Sequence, residues 1–283
     1  MQTELNLQAI IASDPPYMAG GVLRLSTIDY PGRLASVIYC SGCPLRCPYC
    51  HNKGLVLGQT VELPMMQAAK TCLRRGIEGV FITGGEPMMD DRLGALIDLL
   101  KQRAGYVKLD TNGLLMPLSA LDNTLTEEDT TKRFSGKPSY VALDVKLPYA
   151  DYPSLVLDVD ERTWDRWRAN LRLNIALVDG PLYDGEFRTT VHKRLLPPDK
   201  LRQLKEDWLK DCAKPWYLQP YRKSECFDTS LNDEPTYTDR ELADLAIELG
   251  AYVRGMDSSL CMEVEHRVNT RQDENNKNTK ETT

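Results

Sequence analysis

The stretch Ala35-Ser36-Val37-Ile38-Tyr39-Cys40-Ser41-Gly42-Cys43-Pro44-Leu45-Arg46-Cys47-Pro48-Tyr49-Cys50-His51-Asn52 decides how the chain is read. Ala35–Tyr39 is a short apolar run of strand type, and it gives way to a loop dense in cysteine. Further runs of the same kind follow at Gly79–Ile82, Tyr106–Leu109, Tyr140–Leu143, Phe187–Val191 and Trp216–Leu218. Longer helical patterns lie between them. Leu201, Leu204, Trp208 and Leu209 make an amphipathic stripe. Thr238 and Glu241 form a capping box ahead of Leu242, Leu245 and Leu249, and Gly250 is the stop. Strands alternating with helices imply parallel βαβ units. The expectation is an α/β fold, a partial (β/α)6 barrel with an open parallel sheet.

Working outward, each strand ends in a polar cluster. The cysteines follow the first strand, and Thr83-Gly84-Gly85-Glu86-Pro87 follows the second. Asp110-Thr111-Asn112-Gly113, Asp144-Val145-Lys146, Arg188-Thr189-Thr190-Val191-His192 and Gln219-Pro220-Tyr221-Arg222 follow the rest. Barrel sites form at the C-terminal ends of the strands. Side chains two apart share a face, so Lys108, Asp110 and Asn112 are expected on one side of their strand. Asp144 with Lys146, Arg188 with Thr190 and His192, and Tyr217 with Gln219 and Tyr221 pair in the same way. Together they predict a polar barrel mouth facing the cysteine loop.

The bulk properties exclude several classes. With 42% hydrophobic residues in 283, the chain can build a sizeable core. A net charge of −6 without a basic patch argues against nucleic-acid binding. No apolar run approaches the ~20 residues of a membrane span, and the N-terminus does not read as a signal peptide. A soluble cytoplasmic protein is expected. Three segments are expected: an N-terminal lead-in over 1–33, a core over 34–255, and a mostly disordered C-terminal tail over 256–283, with no apolar residue from Asn269 onward. The polar, Thr-rich stretch 115–138 breaks the rhythm and reads as a helix plus a long loop.

Cysteines at 40, 43, 47 and 50 point to metal or redox chemistry, because an export signal for a disulfide framework is lacking. Thiolates suit zinc and iron–sulfur clusters. Two readings stay open on the residues. All four cysteines close a structural or electron-transfer site, or the last three hold a cubane cluster with one iron free. Cys40, at a strand end, is expected to be a small buried core residue. Cys72, Cys212, Cys226 and Cys261 have no ligand spacing.

The spacing Cys-x3-Cys-x2-Cys with Tyr49 before its last cysteine, followed by Gly84-Gly85-Glu86, resembles the radical S-adenosylmethionine (SAM) enzymes. Leu25-Ser26-Thr27-Ile28-Asp29-Tyr30-Pro31-Gly32, Cys50-His51-Asn52 and the strand-end motifs above resemble, in order, the activating proteins of anaerobic ribonucleoside-triphosphate reductases, over about residues 20–255. These flanking motifs separate that group less sharply from pyruvate formate-lyase activases. The resemblance implies a radical SAM type of barrel and a 4Fe–4S cluster on Cys43, Cys47 and Cys50. It also implies SAM as cofactor, the anaerobic reductase as protein substrate, and a flavodoxin- or ferredoxin-like electron donor. No side chain is assigned a catalytic role.

Gly84 and Gly85 are expected to let the backbone approach SAM. Glu86 either pairs with its ammonium group or caps the loop. Lys146 pairs with a carboxylate, that of SAM or Asp144. Asp110 and Asn112 are placed near SAM, and Gln219 near its ribose, with turn roles as the alternative. His192 contacts SAM or the incoming glycine loop, or is structural. Tyr49 is expected to screen the cluster, with His51 and Asn52 as hydrogen-bond donors around it.

Overall fold

A computed structural model describes residues 2–13, 16–30, 32–121, 135–157 and 159–281, with 2–6 and 274–281 described as backbone only. The elements in chain order are α1 (Gln2–Ile11), β1 (Met18–Ser26), β2 (Ala35–Cys40), α2 (Lys53–Val56), β3 (Leu63–Pro64), α3 (Met65–Cys72), β4 (Gly79–Gly84), α4 (Leu93–Ala104) and β5 (Tyr106–Thr111). They continue with β6 (Tyr140–Asp144), α5 (Glu161–Asp179), β7 (Gly185–Val191), α6 (Pro198–Leu204, extended by a π turn over Lys205–Leu209), β8 (Trp216–Pro220), α7 (Asp239–Leu249), β9 (Tyr252–Val253) and α8 (Ser258–Glu281).

The strands form one open sheet in the order β3-β1-β2-β4-β5-β6-β7-β8-β9. From β2 to β9 every pairing is parallel, and β1 runs antiparallel to both β2 and β3. Parallel strands are covered on both faces and read as continuous apolar runs. That is why Val37, Ile38, Val80, Ile82, Val141 and Leu143 are all fully buried. A single cavity is bordered both by Ile28 and Asp29, just after β1, and by Gln219 and Arg254, on β8 and just after β9. The sheet therefore curls into a partial barrel.

The helices follow from local chemistry. Asp160 caps α5 by accepting from Thr163 N at 2.7 Å, and Trp164, Trp167, Leu171, Ile175 and Val178 form its buried stripe. α7 carries the capping box at Thr238 and Glu241, and Gly250 ends it in the left-handed conformation. Among the described residues no helix is long and apolar enough to cross a membrane.

Three expectations change. The lead-in contributes β1 to the sheet, where its register with β2 runs from Ala19↔Cys40 to Ser26↔Ala35. The segment read as a disordered tail is helical as α8, and Val264 and Val268 are buried in the core. Leu260, Val264 and Val268, four apart, give it an apolar stripe that offsets the ordering entropy of at least its first half. Of the stretch 115–138, Leu118–Leu121 form a 3₁₀ turn, and 122–134 lie outside the described residues.

Candidate active site

The cysteine loop starts where β2 ends. Its root is wedged against the turn after β4. Cys40 pairs with Gly84, Gly85 N donates to Cys40 O at 2.8 Å, and Glu86 N donates to Gly42 O at 2.7 Å. This contact explains the two glycines. Gly84 has φ +115°, and a Cβ there would lie 2.5 Å from Cys40 N. A Cβ on Gly85 would lie 1.8 Å from Gly42 O. The close approach that excludes a side chain is thus by the chain's own backbone, not only by a ligand as the sequence suggested.

The loop is tied down along its length. Gly42 N donates to Leu55 O at 2.8 Å, Arg46 N to Leu155 O at 2.7 Å, and Asp228 N to Pro48 O at 2.9 Å. The Arg46 guanidinium donates to Cys43 O and Leu45 O at 2.7 and 2.9 Å. Loops after β6 and β8 therefore grip it from two sides.

Cys43, Cys47 and Cys50 all border a cavity of about 930 Å³, whereas Cys40 does not and is buried in the core. Burial, then the Glu86 carboxylate, pushes the Cys43 thiol up to about 12. Burial pushes Cys47 up to about 11 and raises Cys50 as well. Uncompensated, these sulfurs hold their protons. A bound cationic iron–sulfur group would displace them, since ligating cysteines bind as thiolates. Among the described residues no three His, Cys, Asp or Glu side chains meet closely enough for one metal ion. The three thiols instead border a shared space, and a soft all-sulfur donor set fits an iron–sulfur cluster.

Glu86 is buried and fully engaged. One carboxylate oxygen accepts from Met88 N at 2.9 Å and the Thr111 hydroxyl at 2.6 Å; the other accepts from Asn112 N at 2.8 Å. Burial raises its pKa, and those donors oppose the rise. Of its two expected roles the structure displays the loop clamp, which fixes the end of β4 to the end of β5. Asn112 accepts from Leu114 N at 3.0 Å and brings its amide nitrogen within 4.0 Å of the Cys43 sulfur. Asn52 donates to Gly84 O at 3.3 Å. Asn174, buried on α5, accepts from Leu118 N and donates to Gly113 O and Met116 O, so it pins the segment after Asn112.

The strand interiors hold a chain of alternating charge. Lys108 Nζ lies 2.7 Å from Asp110, Arg188 lies 2.5 Å from Asp110 and 2.9 Å from Asp144, and Lys146 Nζ lies 3.0 Å from Asp144. Asp110, Asp144 and Lys146 border the cavity, together with Tyr49, Gly84, Gly85, Glu86, Asn112 and Gln219. Burial would raise Asp144, but Arg188 and then Lys146 hold it below the usual carboxylate range. Deeper in, Arg254 forks onto buried Glu186 with two contacts of 2.7 Å and lies over the Tyr217 ring at 4.0 Å.

His192 does not join this group. It is buried away from the cavity wall, with Nε2 3.2 Å from Leu231 O and Nδ1 accepting from Arg194 N at 3.2 Å. Its ring meets Tyr221 edge-on at 5.2 Å. Burial lowers its pKa, so the neutral ring with its proton on Nε2 fits both contacts. It is one residue past β7, where the alternation that carried Arg188 and Thr190 inward has ended. Sequence reasoning also missed Arg254, Glu186 and Asn174. For Glu186 the signal was present, because it shares a strand face with Arg188.

A cysteine loop at the C-terminal mouth of a partial α/β barrel, facing a polar cavity, defines a class of barrel proteins with a sulfur-ligated cofactor. Residues 37–174 match the model of the radical SAM superfamily. Members use a 4Fe–4S cluster and SAM. The chain is 25% identical over 231 residues to a provisionally named glycyl-radical enzyme activating enzyme of Methanocaldococcus jannaschii, covering 81% of this chain and 90% of the relative. It is 30% identical over 124 residues to 7-carboxy-7-deazaguanine synthase of Pyrobaculum aerophilum, covering 43% of this chain and 53% of that one. In fold it is similar to a radical SAM methyltransferase from Sphaerobacter thermophilus, with TM-score 0.54 and 16% identity, covering 84% and 71% of the two chains.

Proposed function

We propose that this protein reductively cleaves SAM and installs a glycyl radical on anaerobic ribonucleoside-triphosphate reductase, taking its electron from a flavodoxin- or ferredoxin-like protein. The observation that carries the reading is the convergence of Cys43, Cys47 and Cys50 with Gly84, Gly85 and Lys146 on one open cavity. The ordered strand-end motifs and the similarity that spans 90% of an activating enzyme support the activase assignment.

Held on the three thiols, a reduced cluster would supply one electron to SAM, and the chemistry it would support ends in methionine, 5′-deoxyadenosine and a glycine radical on the partner. The chain's own residues bind, orient and shield. Cys43, Cys47 and Cys50 would hold the cluster as thiolates. Lys146 presents a cation to the SAM carboxylate. Glu86 keeps the Gly84–Glu86 turn and Asn112 in register beside Cys43. Tyr49, half-buried and packed against the core beside the cavity, would screen the sulfurs from water.

Electron paramagnetic resonance on the reduced protein, with and without SAM, tests the site; a cluster signal that shifts on adding SAM is expected. Anaerobic incubation with the reductase tests the partner, with a glycyl-radical doublet as the expected product. Cleavage of SAM without that doublet would reject the reductase as substrate while leaving the radical chemistry in place.

A further inference from the structure

Arg188 does not border the cavity, yet it touches two of the carboxylates that do, Asp110 and Asp144. Register shows how. Asp144 on β6 lies opposite Arg188 on β7, and Ala142 on β6 lies opposite Asp110 on β5. Nε and Nη2 donate to Asp144 Oδ1 at 3.0 and 2.9 Å. Nη1 reaches Asp110 Oδ2 at 2.5 Å, two strands away. Ala142 shares the inward face of β6 with Asp144. The guanidinium therefore crosses β6 where the inward side chain is a single methyl.

Each carboxylate divides its oxygens between two cations. Asp110 gives Oδ1 to Lys108 and Oδ2 to Arg188; Asp144 gives Oδ1 to Arg188 and Oδ2 to Lys146. Lys146 borders the same cavity as Cys47 and Tyr49. Its ammonium position thus depends on the Asp144 rotamer, which Arg188 sets.

We propose that Arg188 is a positioning residue for the ligand site: by bridging Asp110 and Asp144 it aims Lys146 at the cavity. The inference rests on reading that cavity as the SAM site. The other groups facing this network are Cys47, Tyr49, Cys50, Glu86 and Tyr152 from the loop side, Glu186 on the same strand, Lys108 on β5, Tyr217 on β8 and Arg254 just after β9. Of these, only Lys108 contacts a bridged carboxylate, Asp110, and Glu186 is occupied by Arg254 and Tyr140. Among the described residues no other cation is seen to span the two aspartates.

Removing the cation has a signature that loss of packing lacks. Asp144, held low chiefly by Arg188, takes up a proton more readily once that cation is gone. A protonated Asp144 releases Lys146, and ligand binding weakens toward acid. The test is calorimetric titration of SAM into cluster-loaded wild type, Arg188→Met and Arg188→Lys at about pH 6 and about pH 8, beside iron analysis. Arg188→Met is expected to bind roughly tenfold more weakly than wild type at the lower pH and to recover much of that at the higher. Arg188→Lys is expected to be intermediate, and iron content equal in all three.

Arg188→Met binding like wild type at both pH values overturns the inference, as does an equal loss at both. Wild type that binds no SAM overturns the SAM reading itself. Should Arg188→Met not fold, Ala142→Val keeps every charge and obstructs the crossing. The same acid-dependent weakening is expected, and unchanged binding overturns the proposal.

Discussion

The cavity has two walls built on different principles. The strand wall, from β5 to β7, is electrostatically complete: Asp110 and Asp144 each have cationic partners, and Arg188 and Lys146 are both paired. The loop wall is complete only in its backbone. Its amides and carbonyls are tied to Leu55, Leu155, Asp228 and Glu86, while its three thiols face the cavity with raised pKa values. One wall is finished by folding and the other by its cofactor. Buried charges are tolerated when paired, and buried thiols are tolerated when neutral. Cofactor-dependent behaviour should therefore map to the loop wall, and acid sensitivity to the strand wall.

The sharpest way to break this comparison is to remove thiols. Cys50→Ala should lose its iron and all SAM cleavage, whereas Cys40→Ala should retain both, as read by iron analysis and 5′-deoxyadenosine formation. Loss of iron in both variants would favour a closed four-cysteine site.

Next in size is Glu86→Gln. Its amide would turn a donor toward Met88 N, Thr111 or Asn112 N, costing about 1–3 kcal/mol for the unmatched buried group. Slower SAM cleavage with the cluster absorbance retained is expected. Cleavage at the wild-type rate would remove Glu86 from the site.

Acid titration probes the strand wall as a whole. Asp144 and Glu186 are raised by burial but brought below the ordinary range, by Arg188 and Lys146 in the first case and Arg254 in the second. Carboxylates with depressed native values contribute stability that is present above about pH 4 and lost as pH falls through the native value. Thermal unfolding should therefore weaken below about pH 4, less steeply in Glu186→Gln.

His192→Gln should lower stability by about 1 kcal/mol through the lost contact to Leu231 O and leave iron content unchanged; altered SAM affinity would return His192 to the site. The smallest effect is expected for Thr238→Ala, which removes the α7 cap far from either wall. Melting should fall by about 2–4 °C, with ligand binding intact.

Much of the strand wall was legible in sequence because period two fixes which side chains face inward, and polar residues at strand ends have few other reasons to be there. Asp110, Asp144, Lys146 and Gln219, which that logic turns inward, border the cavity. The same logic overreached at His192, where the strand had already ended. It could not tell that Glu86 spends its oxygens on backbone and hydroxyl donors, since those come from β5, a different strand. Arg188 was visible as an inward residue, but its reach to Asp110 depends on Ala142 being small, a fact about a neighbouring strand. β1 and β9 were hidden because neither carries the doubly buried apolar run: β1 buries only Ala19 and Ser26, and β9 is a two-residue edge. α8 was obscured by its polar second half, although Leu260, Val264 and Val268 were in plain helical spacing.

The interlock of Gly85 with Gly42 bears on protein engineering. With 1.8 Å between a notional Cβ and that carbonyl oxygen, the ligand-bearing loop cannot be grafted alone onto another scaffold. Its seat is a groove cut by absent side chains on the neighbouring strand's turn. A transplant would have to carry both pieces, and a designer who varied the eleven-residue cysteine segment while ignoring positions 84 and 85 would be editing half of the part.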